Sequence, residues 1–309
     1  MKSKTYAAID IGSNAARLLI KKSQPDSHDP SKLLRKELLL RVPLRLGFDV
    51  FSKGKVSPKR AENLLRLMKA YRQLMKIYDV DEYRACATSA MRDAANGPEL
   101  INEVKDQTGI QIDIIAGREE AAIVYNNHIE AGNSPEGRCL YVDVGGGSTE
   151  VNYLADGRLQ SSDSFNIGTV RILSGKVKPE EWRRLNDFLH DIYVAGDQNS
   201  AVSIIGSGGN INKLFKLADP AGKSGDSFSV DELARLYHLM KPMTEAQRME
   251  TFGLRPDRAD VIIPAAEIFL NIASVVKAQT IHVPMIGVAD GIIDGLFEAD
   301  LQSEKGKKP

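Results

Sequence analysis

Residues 142–149 read VDVGGGST, and residues 9–14 read IDIGSN. Both stretches run aliphatic, aspartate, aliphatic, glycine and then small polar residues, and apolar runs stand on both sides of each turn. A strand, a glycine turn and a return strand predict a β-hairpin. Because the pattern occurs twice, with each hairpin opening one half of the chain, the sequence predicts a duplicated domain.

Strand and helix patterns alternate along both halves, which favours an α/β layer architecture. In the first half, short apolar runs predict strands at 82–87 and 110–115, with helices between and after them. We therefore expect one domain over 1–125 and a second over 126–309, with the last helix able to pack back on the first domain.

Composition excludes several classes of function. The 41 basic and 41 acidic side chains cancel, so no nucleic-acid or membrane-surface partner is expected. Cys86 and Cys139 lie in apolar strand-like runs, which indicates buried thiols and a reducing compartment. Asp10, Asn14 and Arg17 interrupt the apolar start of the chain, and no run is read as long enough to cross a membrane. We expect a cytoplasmic protein.

The glycine turns resemble neither of two common phosphate loops. The Walker A pattern and the dinucleotide-binding G-x-G-x-x-G pattern are both absent from the sequence. What remains is a turn whose N–H groups can point at an anion, with hydroxyl groups from Ser148 and Thr149 beside it. Asp143 and Glu150 lie on opposite arms of this hairpin, and paired carboxylates near phosphate are typical of a magnesium site. The alternative is a glycine-rich β-turn in which Asp143 bonds its own backbone.

Seven motifs, taken in order, resemble the exopolyphosphatase / guanosine-pentaphosphate phosphatase (Ppx/GppA) family. They are YAAIDIGSNAARLLI, ATSAMRDAANG, AGREEA, YVDVGGGSTEV, NIGTVRI, IIGSGGNINKL and GLRPDRADVIIPAA. The resemblance covers nearly the whole chain. It implies the fold of the actin, hexokinase and Hsp70 superfamily, an α/β architecture of two ribonuclease-H-like domains around a cleft. This is the actin-like ATPase fold, and the two hairpins fit it.

The resemblance also implies an activity, the release of terminal orthophosphate from inorganic polyphosphate by water, with Mg²⁺ as cofactor. Glu120 matches the catalytic base of the family, and Arg92 matches an arginine that grips phosphate. Without the family match, Glu119 and Glu120 would be acidic residues favoured by a helix start. The other matching phosphate-binding residues are Ser13, Asn14, Gly145, Gly146, Gly147, Ser148, Gly208 and Gly209. The predicted metal ligands are Asp143, Glu150 and, in the first hairpin, Asp10.

Two departures from the family affect the predicted substrate. Longer members add a C-terminal helical region that helps to grip long chains, so we expect short polyphosphates to be preferred. Family members often read G-L-R-E-G where residues 287–291 read GVADG, so a contact made by that Arg-Glu pair is in doubt.

Three other functions remain open at this point. The nearest is hydrolysis of the 5′ γ-phosphate of guanosine pentaphosphate, which ends in the same phosphoanhydride. The others are an ATP-dependent kinase of small molecules and a non-catalytic sensor of polyphosphate or nucleotide. A homodimer is expected on family grounds alone.

Overall fold

The computed structural model describes residues 3–25, 33–130, 137–195, 202–220, 222 and 225–305. Contacts divide the chain into two compact units. Unit 1 consists of Met1–Asn133 and Val288–Pro309, and unit 2 consists of Ser134–Gly287. The boundary between the units lies after Asn133, whereas the sequence predicted it between residues 125 and 126. The chain returns to unit 1 at Val288.

Unit 1 contains a five-stranded sheet in the order β3-β2-β1-β4-β5. Strands β1 and β2 pair antiparallel, as do β2 and β3, whereas β4 pairs parallel with both β1 and β5. Every residue of β1 is buried, including Asp10, as is typical of a central strand that is covered on both faces. The strands are β1 (Thr5–Ile11), β2 (Ala16–Ser23), β3 (Leu34–Val42), β4 (Glu82–Ala87) and β5 (Ile112–Ile114).

Five helices of unit 1 precede unit 2. The longest begins with proline at its first position, where the missing N–H costs no hydrogen bond, and it buries Leu64, Met68, Tyr71 and Met75 on one face. The helices are α1 (Leu46–Lys53), α2 (Pro58–Ile77), α3 (Ser89–Asp93), α4 (Gly97–Thr108) and α5 (Gly117–Glu130).

Unit 2 contains a six-stranded sheet in the order β10-β11-β9-β6-β7-β8. Read from β8 inward, its first five strands repeat the order and the directions of the unit 1 sheet. The α/β prediction is thereby confirmed. The strands are β6 (Arg138–Val144), β7 (Thr149–Ala155), β8 (Arg158–Phe165), β9 (Val202–Ser207), β10 (Ser227–Ser229) and β11 (Thr280–His282).

In the described part of unit 2, seven helices accompany the sheet, and its core consists of aliphatic and aromatic side chains. The helices are α6 (Thr169–Leu173), α7 (Pro179–Ala195), α8 (Gly209–Ala218), α9 (Val230–Met240), α10 (Glu245–Phe252), α11 (Pro256–Ala259) and α12 (Ile262–Val276). The stretch Pro256–Val276 is long and apolar enough to cross a membrane by length and composition, which corrects the reading that no run reaches this length. Its apolar character serves the core of unit 2, because 72% of its most apolar window is buried.

The last helix, α13 (Val288–Lys305), belongs to unit 1. Asp300 accepts hydrogen bonds from the Tyr6 hydroxyl, at 2.6 Å, and from the Lys4 ammonium, at 2.7 Å. Nearer the start of the helix, Lys21 of β2 lies 3.1 Å from Asp290 and 3.3 Å from Asp294. Asp290 is the acidic residue of GVADG, so in this chain that position helps to hold α13 against the sheet.

Candidate active site

The turn between β6 and β7 brings two carboxylates face to face. Asp143 and Glu150 are direct cross-strand partners, so both side chains lie on the same face of the sheet. Asp143 is 6% exposed and Glu150 is fully buried. The Ser164 hydroxyl donates to Glu150 Oε1 at 2.8 Å, which orients that carboxylate from the neighbouring strand β8.

This pair fits a magnesium ion. Like charges directly opposite each other destabilise a sheet, and a divalent cation removes that repulsion. Magnesium is usually held by one or two carboxylates while it keeps several waters. Within the described parts of the chain, no group of three or more His, Cys, Asp or Glu side chains that could hold a metal ion is found.

The glycine turn itself is held by the residues that begin α6. The Gly145 N–H closes the turn onto the Ser148 carbonyl at 2.9 Å. The carbonyl of Gly145 accepts from the Thr169 N–H, and the carbonyl of Gly146 accepts from the Val170 and Arg171 N–H groups. The carbonyl of Gly147 accepts from Arg171 Nε at 2.7 Å. We call residues 168–171 the second clamp, because they hold the turn of the second hairpin.

The second clamp fixes where the N–H groups of the turn point. In a planar trans peptide the C=O and the following N–H point in opposite directions. Because the carbonyls of Gly145, Gly146 and Gly147 face the clamp, the N–H groups of Gly146, Gly147 and Ser148 face away from it. Three N–H groups on one side of a turn make a binding surface for an anion. Gly168 permits this arrangement, because a Cβ there would lie 2.4 Å from the Gly147 backbone.

A third glycine segment lies against Asp143. Gly208 adopts a φ of +99°, and a Cβ there would lie 2.9 Å from Asp143 Oδ1, so glycine is required for the approach. The preference of asparagine for helix caps predicts Asn210 as the cap of the next helix, and this is wrong. Helix α8 begins two residues earlier than such a cap implies, at Gly209, with Gly208 as its cap, while the Asn210 side chain accepts from Arg258 Nη1 at 2.7 Å.

The first hairpin repeats the turn of the second with different side chains. The Gly12 N–H bonds the Ala15 carbonyl at 3.0 Å, as Gly145 bonds Ser148 in unit 2. The carbonyls of Ser13 and Asn14 accept from the N–H groups of Gly47 and Arg45, at 2.8 and 2.9 Å. We call residues 45–47 the first clamp.

The buried side chains of the first hairpin are already engaged within unit 1. The Ser13 and Ser89 hydroxyls share a hydrogen bond of 2.9 Å, and both residues are buried. Asp10 lies 2.5 Å from Arg17 Nη1, its direct cross-strand partner. The predicted metal ligand of unit 1 therefore shares its carboxylate with a cation of the same hairpin.

Glu120 and Glu119 lie in different surroundings at the start of α5. Glu120 Oε2 is 3.8 Å from Arg92 Nη1, and the Glu120 side chain is 7% exposed. The Glu119 side chain is 47% exposed and lies 2.6 Å from Arg84 Nη2. Arg92 is held in turn by a bond of 2.7 Å from Nη1 to the Ile115 carbonyl. The structure thus brings the predicted base and the predicted phosphate-binding arginine together within unit 1.

Sequence reasoning missed the residues that hold the loops. Ser89, Gly168 and Arg171 all lie within quoted motifs, yet none was assigned a role. Their partners are distant along the chain, and no spacing rule connects a hairpin turn to a carbonyl clamp. The shared signal was a glycine soon after the third strand of each hairpin sheet, at Gly47 and Gly168.

Comparison with known proteins identifies the fold and then the family. The structure matches that of the Aquifex aeolicus member of the Ppx/GppA family with a TM-score of 0.76 and 25% identity, over 97% of this chain and 99% of that one. The architecture is therefore the actin-like ATPase fold. The model of the Ppx/GppA phosphatase family matches residues 33–299, and the chain belongs to that family. Its class is that of hydrolases acting on phosphoric acid anhydrides.

Two curated relatives are similar in sequence over most of this chain. Exopolyphosphatase 1 of Mycobacterium tuberculosis is 24% identical over 303 residues, which cover 92% of this chain and 86% of the relative. The bifunctional 3-dehydroquinate synthase/phosphatase of Fusobacterium nucleatum is 28% identical over 284 residues, which cover 83% of this chain. The chain spans only 41% of the length of that bifunctional protein.

Proposed function

We propose that the protein is an exopolyphosphatase, which uses water to release the terminal orthophosphate of inorganic polyphosphate in the presence of Mg²⁺. The observation that carries the proposal is the second hairpin. It places two buried, facing carboxylates beside a turn whose N–H groups are fixed on one side. A relative of similar length carries the name exopolyphosphatase, which supports this substrate.

Asp143 and Glu150 are the residues that would hold Mg²⁺. When bound, the ion supplies positive charge to phosphate oxygens during transfer. The N–H groups of Gly146, Gly147 and Ser148 donate to oxygens of the same chain of phosphates. Gly208 caps α8 and Gly209 is its first residue, and both add backbone donors. Phosphoryl transfer needs little covalent chemistry from the protein, so such positioning supplies most of the catalysis.

Glu120 acts as the general base. An ionised carboxylate can take a proton from the attacking water. The water oxygen attacks the terminal phosphorus, the bond to the bridging oxygen breaks, and the shortened polyphosphate leaves with the electron pair. Arg92 stabilises the negative charge on the transferred group through its planar guanidinium.

The test of the substrate is phosphate release from polyphosphates of defined length, beside guanosine pentaphosphate and ATP, with and without Mg²⁺. We expect release from short polyphosphates that stops when Mg²⁺ is chelated. Release from guanosine pentaphosphate alone would instead establish the nucleotide phosphatase. Transfer of labelled phosphate from ATP to an acceptor would refute hydrolysis and favour a kinase.

The test of the base is a matched pair of neighbouring substitutions. Glu120→Gln is expected to lower kcat by about 1,000-fold or more while polyphosphate still binds, because a general base and its positioning are lost together. Glu119→Gln removes the exposed ion pair with Arg84 and is expected to leave kcat unchanged. The opposite ranking would show that Glu119 is the base.

Two further features of the proposal rest on the sequence. We propose a cytoplasmic location, from the two buried cysteines, and a preference for short polyphosphates, which the phosphate-release series tests. A homodimer remains a prediction that sedimentation of the purified chain can test.

A further inference from the structure

Arg171 is a buried cation that binds the carbonyl side of the glycine turn, opposite the N–H groups that face the proposed phosphate. It is 9% exposed, and its Nε donates to the Gly147 carbonyl at 2.7 Å. Its own backbone N–H donates to the Gly146 carbonyl at 3.1 Å. Arg171 therefore engages two successive peptides of the turn, one through its main chain and one through its side chain.

The two hairpins show what the side chain replaces. Gly147 and Asn14 hold the same place in their turns, two residues after Gly145 and Gly12 respectively. In unit 1 the carbonyl at this place accepts from a backbone N–H, that of Arg45. In unit 2 the carbonyl at this place accepts from the guanidinium of Arg171.

We propose that Arg171 is a positioning residue, which sets the direction of the Ser148 N–H by holding the Gly147 carbonyl. The inference rests on the proposed function, in which that N–H donates to a phosphate oxygen. The C=O of Gly147 and the N–H of Ser148 belong to one rigid peptide. A charged donor holds a carbonyl more strongly than a neutral one, so this peptide cannot readily rotate.

The unit 2 turn needs such support more than the unit 1 turn does. Gly145, Gly146 and Gly147 follow one another, and glycine has the widest range of backbone conformations. The corresponding residues of unit 1 are Gly12, Ser13 and Asn14, of which only one is glycine. Flexible peptides direct N–H groups at a phosphate only when their carbonyls are fixed.

The experiment compares Arg171→Met with Arg138→Met. Arg138 is a second buried arginine of unit 2, at 7% exposure, and its guanidinium also donates to main-chain carbonyls, those of Ile192 and Tyr193. Arg138 lies at the other end of β6, away from the turn. Both substitutions remove a buried guanidinium from a carbonyl, so their effects on thermal unfolding should be similar.

Two readouts separate positioning from stability. The first is kcat and KM for tripolyphosphate with Mg²⁺, and Arg171→Met is expected to lower kcat by about 10- to 100-fold, because small displacements of donors cost rates of this size. The second is the ¹⁵N amide shifts of Gly146, Gly147 and Ser148 on addition of tripolyphosphate and Mg²⁺. We expect the Ser148 response to disappear in Arg171→Met and to remain in Arg138→Met.

Conservative variants keep the proposal falsifiable if Arg171→Met does not fold. Arg171→Lys retains a cationic donor and should recover part of the lost kcat, whereas Arg171→Gln should recover less. A folded Arg171 variant with wild-type kcat and a wild-type Ser148 response would overturn the inference. If the wild-type protein releases no phosphate from any substrate, the proposed function fails. The amide response and its loss still decide the role of Arg171.

Discussion

The hairpins of unit 1 and unit 2 share one backbone arrangement but differ in the charge of the side-chain pair that faces across the strands. Each has a four-residue turn closed by a bond from its first N–H to its fourth carbonyl, and each is clamped by the segment after the third strand. At matching positions, unit 1 has Asp10 facing Arg17, and unit 2 has Asp143 facing Glu150. The pairs differ in one partner, which is arginine in unit 1 and glutamate in unit 2. The unit 1 pair is therefore neutral and the unit 2 pair doubly negative.

This difference shows that the conformation of the turn does not depend on the charge of the cross-strand pair beside it. The clamps preserve the direction of the turn N–H groups in both units, as anion binding requires. The cross-strand pair decides whether a cation can be added. Asp10 already shares its carboxylate with Arg17, whereas Asp143 and Glu150 repel each other and suit a divalent ion.

The largest expected effect comes from removing the shared aspartate in each unit. Asp143→Asn should lower kcat by about 1,000-fold, because a carboxylate of the proposed metal site is lost. Asp10→Asn should have a much smaller effect on kcat, because its charge is balanced inside the hairpin. The measurement is steady-state phosphate release at a series of Mg²⁺ concentrations. Equal losses of kcat, with equal shifts in Mg²⁺ dependence, would show that Asp10 is a ligand too.

A second comparison uses the clamp glycines. In Gly168→Ala the new Cβ would meet the Gly147 backbone at 2.4 Å, so the turn must move, and kcat should fall by about 100-fold. In Gly47→Ala the new Cβ would meet a ring carbon of Phe51 at 2.8 Å and Ser13 Cβ at 2.9 Å, so the first turn must also shift, but by less than the second, and a smaller loss of kcat is expected. Kinetics and thermal unfolding of both variants measure the contrast, which disappears if Gly47→Ala is the more damaging.

A smaller effect concerns stability and follows from the doubly negative pair. Without Mg²⁺, Glu150→Gln should raise the free energy of unfolding by about 0.5 kcal/mol, because the like-charge contact is removed while the bond from Ser164 can persist. The stabilisation by added Mg²⁺ should be lost in the same variant. Thermal melts with EDTA and with Mg²⁺ test both statements. Unchanged stabilisation by Mg²⁺ would place the ion elsewhere.

The smallest expected signal uses the single cysteine of each described unit. Burial raises the pKa of Cys86 and of Cys139 from 9.0 to about 12. Neither thiol should react with a maleimide in the folded protein at pH 7. Because the folded pKa is raised, the thiols stabilise the fold fully below pH 9, and this contribution is lost as pH rises from 9 toward 12. Mass spectrometry of labelled peptides reports opening of each unit separately, and rapid native labelling of either would contradict its burial.

Much of the fold could be predicted from local pattern, because hairpins and amphipathic helices depend on residues that are close together in the sequence. The strand at Glu82–Ala87 has the predicted bounds, and a helix, Gly97–Thr108, lies between it and the next strand as predicted. The start of α8 could not be predicted from local pattern, because the Asn210 side chain accepts a hydrogen bond from Arg258, 48 residues away, instead of capping the helix. Long-range contacts outweigh local capping preference at such a place.

The candidate site divides in the same way. The carboxylates of the second hairpin follow from strand register, because residues paired across a hairpin face the same side. Glu120 was separable from Glu119 only through the family resemblance, and the burial of one and exposure of the other depend on how α5 meets α3 and β4. The clamps depend on segments that lie more than 20 residues away, so the hairpin sequence carries no sign of them.

The return of α13 to unit 1 has a consequence for how the protein is made. During synthesis unit 2 is complete once Gly287 has left the ribosome, whereas unit 1 still lacks the helix that begins at Val288. Lys4, Tyr6 and Lys21 gain their acidic partners only with this last segment. The first half of the chain is therefore finished last, and a nascent polypeptide held short of Val288 would expose the side of the sheet that α13 covers.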